Sequence, residues 1–337
     1  MIAKNNVKSQ LLTILDSLNQ PHNARIKDFT SFRFVRKALQ SKRAMQRFYD
    51  LMISDIRHVK QRIENKVLLD AGCGSGMFSI LLSLLGARKV LAVDYVSDCV
   101  AMTQTIVRSA NIHNIEVIHS DVAKINLPKQ SIDGIFSIEG LSHYRNHKAF
   151  LIMASRVLKD NGFLFIRDGN NKASSFVRKR NTVIWRLYEN CSNPINFCGF
   201  EKSSGCYLDK RKEIIRSTFP SLNDEEIQRF ARYTFGYSKE EIIHAVNQFT
   251  NGTFSLKSEY SPNVCPLNPE INCYMENMFN PVELKHQLMI DGFIVKITAR
   301  GPSARRLGLL RFVWELCSPL TIFLPGGFQL LAIKCIR

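Results

Sequence analysis

The stretch "KVLLDAGCGSGMFSILLSLLG", Lys66 to Gly86, places an aspartate and three alternate glycines between an apolar run and an apolar helix-like segment. Such a turn can hold a ligand, because glycine lets the main chain approach closely and the following helix presents free N–H groups. Spacing narrows the choice of ligand. A dinucleotide fingerprint needs Gly-x-Gly-x-x-Gly/Ala, whereas after Gly72 and Gly74 that third position is Met77 and the actual third glycine is Gly76. Charge narrows it further, since Asp70 directly before the loop would repel a pyrophosphate and welcome an ammonium group. A phosphate-binding P-loop is excluded, because no Gly-Lys-Ser/Thr follows.

The elements that must position this loop follow from hydrophobic periodicity. Short apolar runs at Lys66–Asp70, Val90–Asp94, Glu116–Ser120, Gly134–Ile138 and Gly162–Arg167 predict strands buried on both faces. Helical segments at Met77–Leu85, Ser97–Ser109 and His147–Leu158 lie between most of them, the alternation of βαβ units. After the fifth strand the alternation stops for over a hundred residues, which predicts a large helical insertion over 171–290. Within it, Ser238 with Glu241 fits a capping box, and Asn280 before Pro281 fits a helix start. Phe293–Arg300 and Phe328–Ile336 predict the sixth and seventh strands. The expected fold is α/β: a doubly wound, seven-stranded, mostly parallel sheet. Its expected parts are N-terminal helices over 1–64, a core over 65–170, the insertion, and 291–337 completing the sheet.

"VLLDAGCGSG" resembles motif I of the class I S-adenosylmethionine-dependent methyltransferases, an acidic residue followed by x-Gly-x-Gly-x-Gly after strand one. The match is complete at Asp70, Gly72, Gly74 and Gly76. The resemblance implies a Rossmann-like methyltransferase fold and S-adenosyl-L-methionine as cofactor, met by those residues and by the backbone of Cys73. It also implies that Asp94 in "VLAVDYV", with Tyr95 beside it, holds both ribose hydroxyls, a task suited to a carboxylate with two acceptor oxygens. In "HSDVAKI" it assigns the adenine amino group to Asp121 and a ring face to Val122. "DGIFSIEGLSHY" resembles the strand-four motif beside the methyl donor, with Ser137 in contact. "VLKDNGFLFIRD" resembles the family's Leu-Lys-x-Gly-Gly turn into strand five, with Asn161 replacing one glycine; asparagine tolerates the left-handed conformation.

Methyl transfer from a sulfonium is an in-line displacement, and an alcohol acceptor also needs a base. His143, in the loop after strand four, is the candidate base, with Glu139, Tyr144 and Asp168 on the same rim. The motifs that mark adenine, arginine and cytosine-C5 acceptors are missing: Ser137-Ile-Glu139-Gly replaces Asp/Asn-Pro-Pro-aromatic, only one glutamate is present, and there is no Pro-Cys. The resemblance therefore points to the small-molecule and lipid branch, with O- or C-methylation of a small-molecule, lipid-linked or glycan acceptor. The alternative is a methyltransferase-like binding subunit or an RNA methyltransferase using basic flanks such as "FTSFRFVRKALQSKRAMQRFYD".

Composition bounds these readings. At 337 residues, 45% hydrophobic and 22% charged, the chain is ordinary for a globular protein rather than a disordered one. The net charge of +17 is uneven: residues 1–64 hold 13 basic against 5 acidic side chains, and residues 65–170 hold 11 against 9. The excess flanks the loop-bearing core and suits an anionic partner, a membrane surface before nucleic acid. The segment Arg305–Leu316, "RRLGLLRFVWEL", reads first as a helix between strands six and seven that buries its apolar face against the sheet, and alternatively, through its arginines, as a helix that lies on an anionic bilayer. The apolar run Leu11–Leu15 is too short for a secretory signal, and prolines and glycines interrupt Leu316–Ile333, so a cytoplasmic protein, peripheral to the membrane at most, is expected. Nine cysteines without a Cys-x-x-Cys pair predict reduced thiols and no metal site, although Cys191, Cys198, Cys206, Cys265 and Cys273 cluster in sequence near His244.

Overall fold

A computed structural model describes residues 4–191, 196–197, 200–201, 205–250, 260–300, 314 and 316–336. The apolar runs form strands β1 (Val67–Ala71), β2 (Lys89–Asp94), β3 (Ile115–His119), β4 (Ile132–Ile138), β5 (Leu158–Asp168), β6 (Phe293–Arg300) and β7 (Gly327–Lys334). They make one sheet in the order β6-β7-β5-β4-β1-β2-β3, with β7 antiparallel to both neighbours and every other pairing parallel. Strand order reverses between β1 and β4, and in such sheets the crevice outside the carboxyl ends of the two strands is where ligands bind.

Alternate residues of the strands feed two cores. Leu68, Val90, Ala92 and Phe136 face one side, where they meet Leu11 and Leu15 of helix α1 (Lys4–Ser17). Leu69, Leu91, Val93 and Ile135 face the other, with α6 (His147–Val157) and α11 (Pro281–Ile290). The first side is completed by α2 (Arg33–Arg36), α3 (Lys42–Asp55), α4 (Met77–Leu84) and α5 (Ser97–Ser109). Phe136 packs edge-on against Phe78 and Phe163, at centroid distances of 5.3 Å each, tying β4 to α4 and β5.

Between β5 and β6 stand α7 (Ser175–Asn190), α8 (Tyr207–Thr218), α9 (Asp224–Tyr233) and α10 (Lys239–Thr250), followed by α11. Helices α8, α9 and α10 share a small core of their own around Ile215, Phe230 and Ile242. The two helix starts read from sequence are present: Ser238 and Glu241 exchange side-chain to backbone hydrogen bonds, and Asn280 caps α11 through the amide of Val282.

Every strand but β6 differs from expectation at an end: β1, β2 and β3 by one residue, β4 by an earlier start at Ile132, and β5 and β7 for visible reasons. Strand β5 begins at Leu158 rather than Gly162, because Ile132 pairs with Leu158 and Gly134 with Phe163, and the residues between them bulge outward with Asn161 at φ +60°. Strand β7 stops at Lys334, two residues short of Ile336, which is exposed. The basic apolar segment Arg305–Leu316 lies outside the described residues, apart from Trp314 and Leu316. No helix among the described residues is long and apolar enough to cross a membrane.

Candidate active site

The glycine loop joins β1 to α4, and all three glycines adopt left-handed backbone: φ is +76° at Gly72, +56° at Gly74 and +74° at Gly76. A side chain at any of them would be strained. Space differs among the three. A Cβ on Gly76 would come within 2.5 Å of Thr103 on α5, whereas one on Gly74 would meet nothing nearer than Phe34 at 4.0 Å. Gly74 therefore leaves an open cradle at the carboxyl end of β1, and Gly76 lets the loop press against α5. The amides of Gly72 and Cys73 both donate to the Val93 carbonyl, fixing the loop to β2. The Cys73 thiol is buried next to Thr103, and burial pushes its pKa well up, so it is no nucleophile.

Two carboxylates brace the loop. Asp94 ends β2; its Oδ2 accepts the Gly74 amide at 2.8 Å and its Oδ1 accepts the Val96 amide, at the start of α5, at 2.9 Å. Burial raises its pKa while those two N–H groups oppose the shift. Each oxygen keeps a further lone pair for a ligand hydroxyl. Asp70 is 1% exposed and accepts the Ser79 hydroxyl of α4; burial pushes its pKa up to about 7, against the pull of that hydroxyl. Its visible partner is thus a helix, not the cradle. Along the same edge, Asp121 accepts the Ala123 amide, Val122 is buried, and Tyr95 is exposed with its carbonyl bonded to His119.

Opposite them is the rim of β4 and β5. Ser137 is buried, and its hydroxyl lies 3.2 Å from Tyr144 Oη, which itself donates to the Ala71 carbonyl at 2.8 Å. Burial raises the Tyr144 phenol, so the ring acts as a strut between β4 and β1 rather than as a base. Glu139 has φ +53°, uncommon for a residue with a side chain; Oε1 pairs with Arg167 at 2.9 Å and Oε2 accepts the Gly169 amide. Asp168 accepts the Ser142 amide on one oxygen and the Asn170 amide on the other; burial and then Glu139 push its pKa up to about 7. His143 Nδ1 is 2.9 Å from the Tyr274 carbonyl, and its Nε2 is 4.0 Å from Glu276 Oε1.

Residues 69–166 match the model of a family described as "Methyltransferase domain". A probable S-adenosylmethionine-dependent methyltransferase of Mycobacterium tuberculosis is 33% identical over 103 residues, 31% of this chain and 35% of that protein. The mitochondrial ubiquinone biosynthesis O-methyltransferase of Dictyostelium discoideum is 27% identical over 124 residues, 34% of this chain and 39% of that protein. The chain thus spans little more than a third of the length of these relatives. Over residues 69–166 the chain is similar to a methyltransferase domain, and over about that stretch to S-adenosylmethionine-dependent methyltransferases. A solved structure of a putative S-adenosylmethionine dependent methyltransferase from Listeria monocytogenes superposes with a TM-score of 0.47 at 12% identity, covering 85% of this chain and all of that one.

The residues of this stretch fit S-adenosyl-L-methionine. The Gly74 cradle is open, and Asp94 stands at its edge with acceptor capacity to spare. Two further pieces approach it. Asp98, on the first turn of α5, accepts the amides of Thr30 and Ser31, which brings α2 and Phe34 over Gly74. From between β5 and β6, the short strand Cys273–Tyr274 reaches the loop after β4, where the Tyr274 carbonyl bonds His143 Nδ1, and burial and then the charges of Asp94 and Asp121 push the Cys273 thiol up to about 12. Sequence reasoning missed Phe34, Asp98, Asn170, Tyr274 and Glu276. Asp98 carries the only local signal, an acidic residue in the first turn of a helix.

Proposed function

We propose that the chain transfers the methyl group of S-adenosylmethionine to a small-molecule, lipid-linked or glycan acceptor received at the rim of β4 and β5, with His143 as general base. The observation that carries this reading is the contact of His143 Nδ1 with the Tyr274 carbonyl at 2.9 Å. A carbonyl can only accept, so Nδ1 donates to Tyr274, and in the neutral ring Nε2 is left as the basic nitrogen. Proximity of His143 to both Asp94 and Asp168, whose ionised forms it favours, supports a base near the cofactor carboxylate and the β4–β5 rim.

When bound, S-adenosylmethionine supplies an electrophilic methyl carbon on a sulfonium sulfur. The chain's own share is to hold the acceptor atom in line and to take its proton at Nε2. Either a hydroxyl or an ammonium group must lose a proton on becoming methylated, so a base at this place serves both. His143→Ala should lower turnover by about two to four orders of magnitude while the affinity for S-adenosylhomocysteine stays put. Full turnover in a folded variant would return His143 to a structural role.

A further inference from the structure

His143 and Glu276 reach the rim from different parts of the chain, the loop after β4 and the insertion just before α11. The 4.0 Å between Nε2 and Oε1 is too long for a hydrogen bond. It does suit a third atom bonded to both at about 2.8 Å. In the neutral ring Nε2 is an acceptor, because Nδ1 carries the hydrogen, and Oε1 is one when the carboxyl is ionised, its Oε2 already taking the Asn170 side-chain amide; burial raises the Glu276 pKa, and a cation seated beside it would hold it ionised. Whatever sits between them must donate twice. A hydroxyl carries one hydrogen, whereas an amine or a guanidinium nitrogen carries two or more.

We propose that the methyl acceptor is a nitrogen of a primary amine or guanidinium, seated between His143 Nε2 and Glu276 Oε1, with Glu276 as the residue that selects nitrogen over oxygen. This rests on the methyltransferase reading of the site. The surrounding charge agrees with it. Glu139, Asp168 and Glu276 stand together, three carboxyl groups beside two guanidinium groups: Arg167, which is shared between Glu139 and Asp55, and Arg180, which bonds Asn181 Oδ1 and also favours the ionised form of Glu276. A chain of net charge +17 thus holds a group of carboxylates at its acceptor rim, where an incoming cation lowers the cost of keeping them ionised. In the transfer, an ammonium nitrogen gives one proton to Nε2. Its freed lone pair then takes the methyl group as the carbon–sulfur bond breaks with its electron pair going to sulfur, and a remaining N–H stays on Glu276.

The test is an NMR titration of the protein saturated with S-adenosylhomocysteine, following the His143 imidazole resonance, with n-butylammonium, methylguanidinium and n-butanol as probes. An ammonium or guanidinium probe should shift that resonance saturably, butanol should not, and Glu276→Gln should weaken the cationic probe by about tenfold or more. Butanol saturating as readily as butylammonium, no cationic probe perturbing His143 at up to about 100 mM, or an unchanged affinity in Glu276→Gln would each overturn the assignment. S-adenosylhomocysteine binding in the same samples is a separate readout. Its failure sinks the methyltransferase reading, whereas failure of the cationic probes in the S-adenosylhomocysteine complex sinks only the nitrogen acceptor.

Discussion

The glycine-loop cradle and the rim proposed to receive the acceptor face one another across the crevice between β1 and β4, yet they are assembled by opposite means. Every core group of the cradle falls between Asp70 and Val122, and its shape is set by main chain: three left-handed glycines, two amides on the Val93 carbonyl, and an aspartate that grips two more amides. The rim draws on Glu139, His143, Asp168, Asn170, Tyr274 and Glu276, joined mainly through their side chains. A site built from backbone conformation leaves a mark in the sequence, because only glycine adopts that conformation at low cost. A site built from distant side chains leaves none until the insertion has packed against the core.

The sharpest way to break this contrast is inside the cradle itself. Gly76→Ala puts a Cβ 2.5 Å from Thr103 at φ +74°, and it should cost about 2–4 kcal/mol of stability in urea unfolding. Gly74→Ala carries only the left-handed penalty, about 1–2 kcal/mol, because no atom lies nearer than Phe34 at 4.0 Å. Its added methyl intrudes where the ligand belongs, so S-adenosylhomocysteine affinity should fall more than stability does. Equal stability losses in the two variants would mean that the loop is tuned for ligand alone and not for packing on α5.

How much was legible follows from the same difference. All seven strands, their mixed direction and the helix starts at Ser238 and Asn280 were readable, since periodicity and capping are local properties. Asn161 was correctly read as left-handed, but the turn around it is a bulge inside β5, a fact that only the register with β4 reveals. His143 could be singled out because it follows a recognisable strand. Glu276 was invisible: "CYMEN" has neither periodicity nor motif, and Glu276 comes near His143 only because the Tyr274 carbonyl, at the end of a two-residue strand, bonds that ring. Tyr144 was placed on the rim correctly, yet its hydroxyl is spent on the Ala71 carbonyl.

A smaller effect sharpens the comparison through pH. Asp70 is held near 7 in the folded state against an ordinary 3.8, so the native protein keeps this proton while the unfolded chain loses it between about pH 4 and 7. Its contribution to stability is therefore lost as pH rises through that window and is flat above it. Asp70→Asn keeps an acceptor for Ser79 and removes the slope, so the variant should gain on the parent by about 1–3 kcal/mol between pH 4.5 and 7.5. A parent that gains on the variant over that range would show that Asp70 is ionised in its buried site.

Calorimetric titration of S-adenosylhomocysteine into the parent, Asp94→Ala, His143→Ala and Glu276→Gln tests most directly whether the two halves are separate. Asp94→Ala should lose about 1–3 kcal/mol of binding, from hydroxyls left unpaired and a loop left unbraced, and the two rim variants should bind as the parent does. Undiminished binding by Asp94→Ala, or a loss of the same size in His143→Ala or Glu276→Gln, would contradict the division of the crevice into a backbone-built cofactor cradle and a side-chain-built acceptor rim.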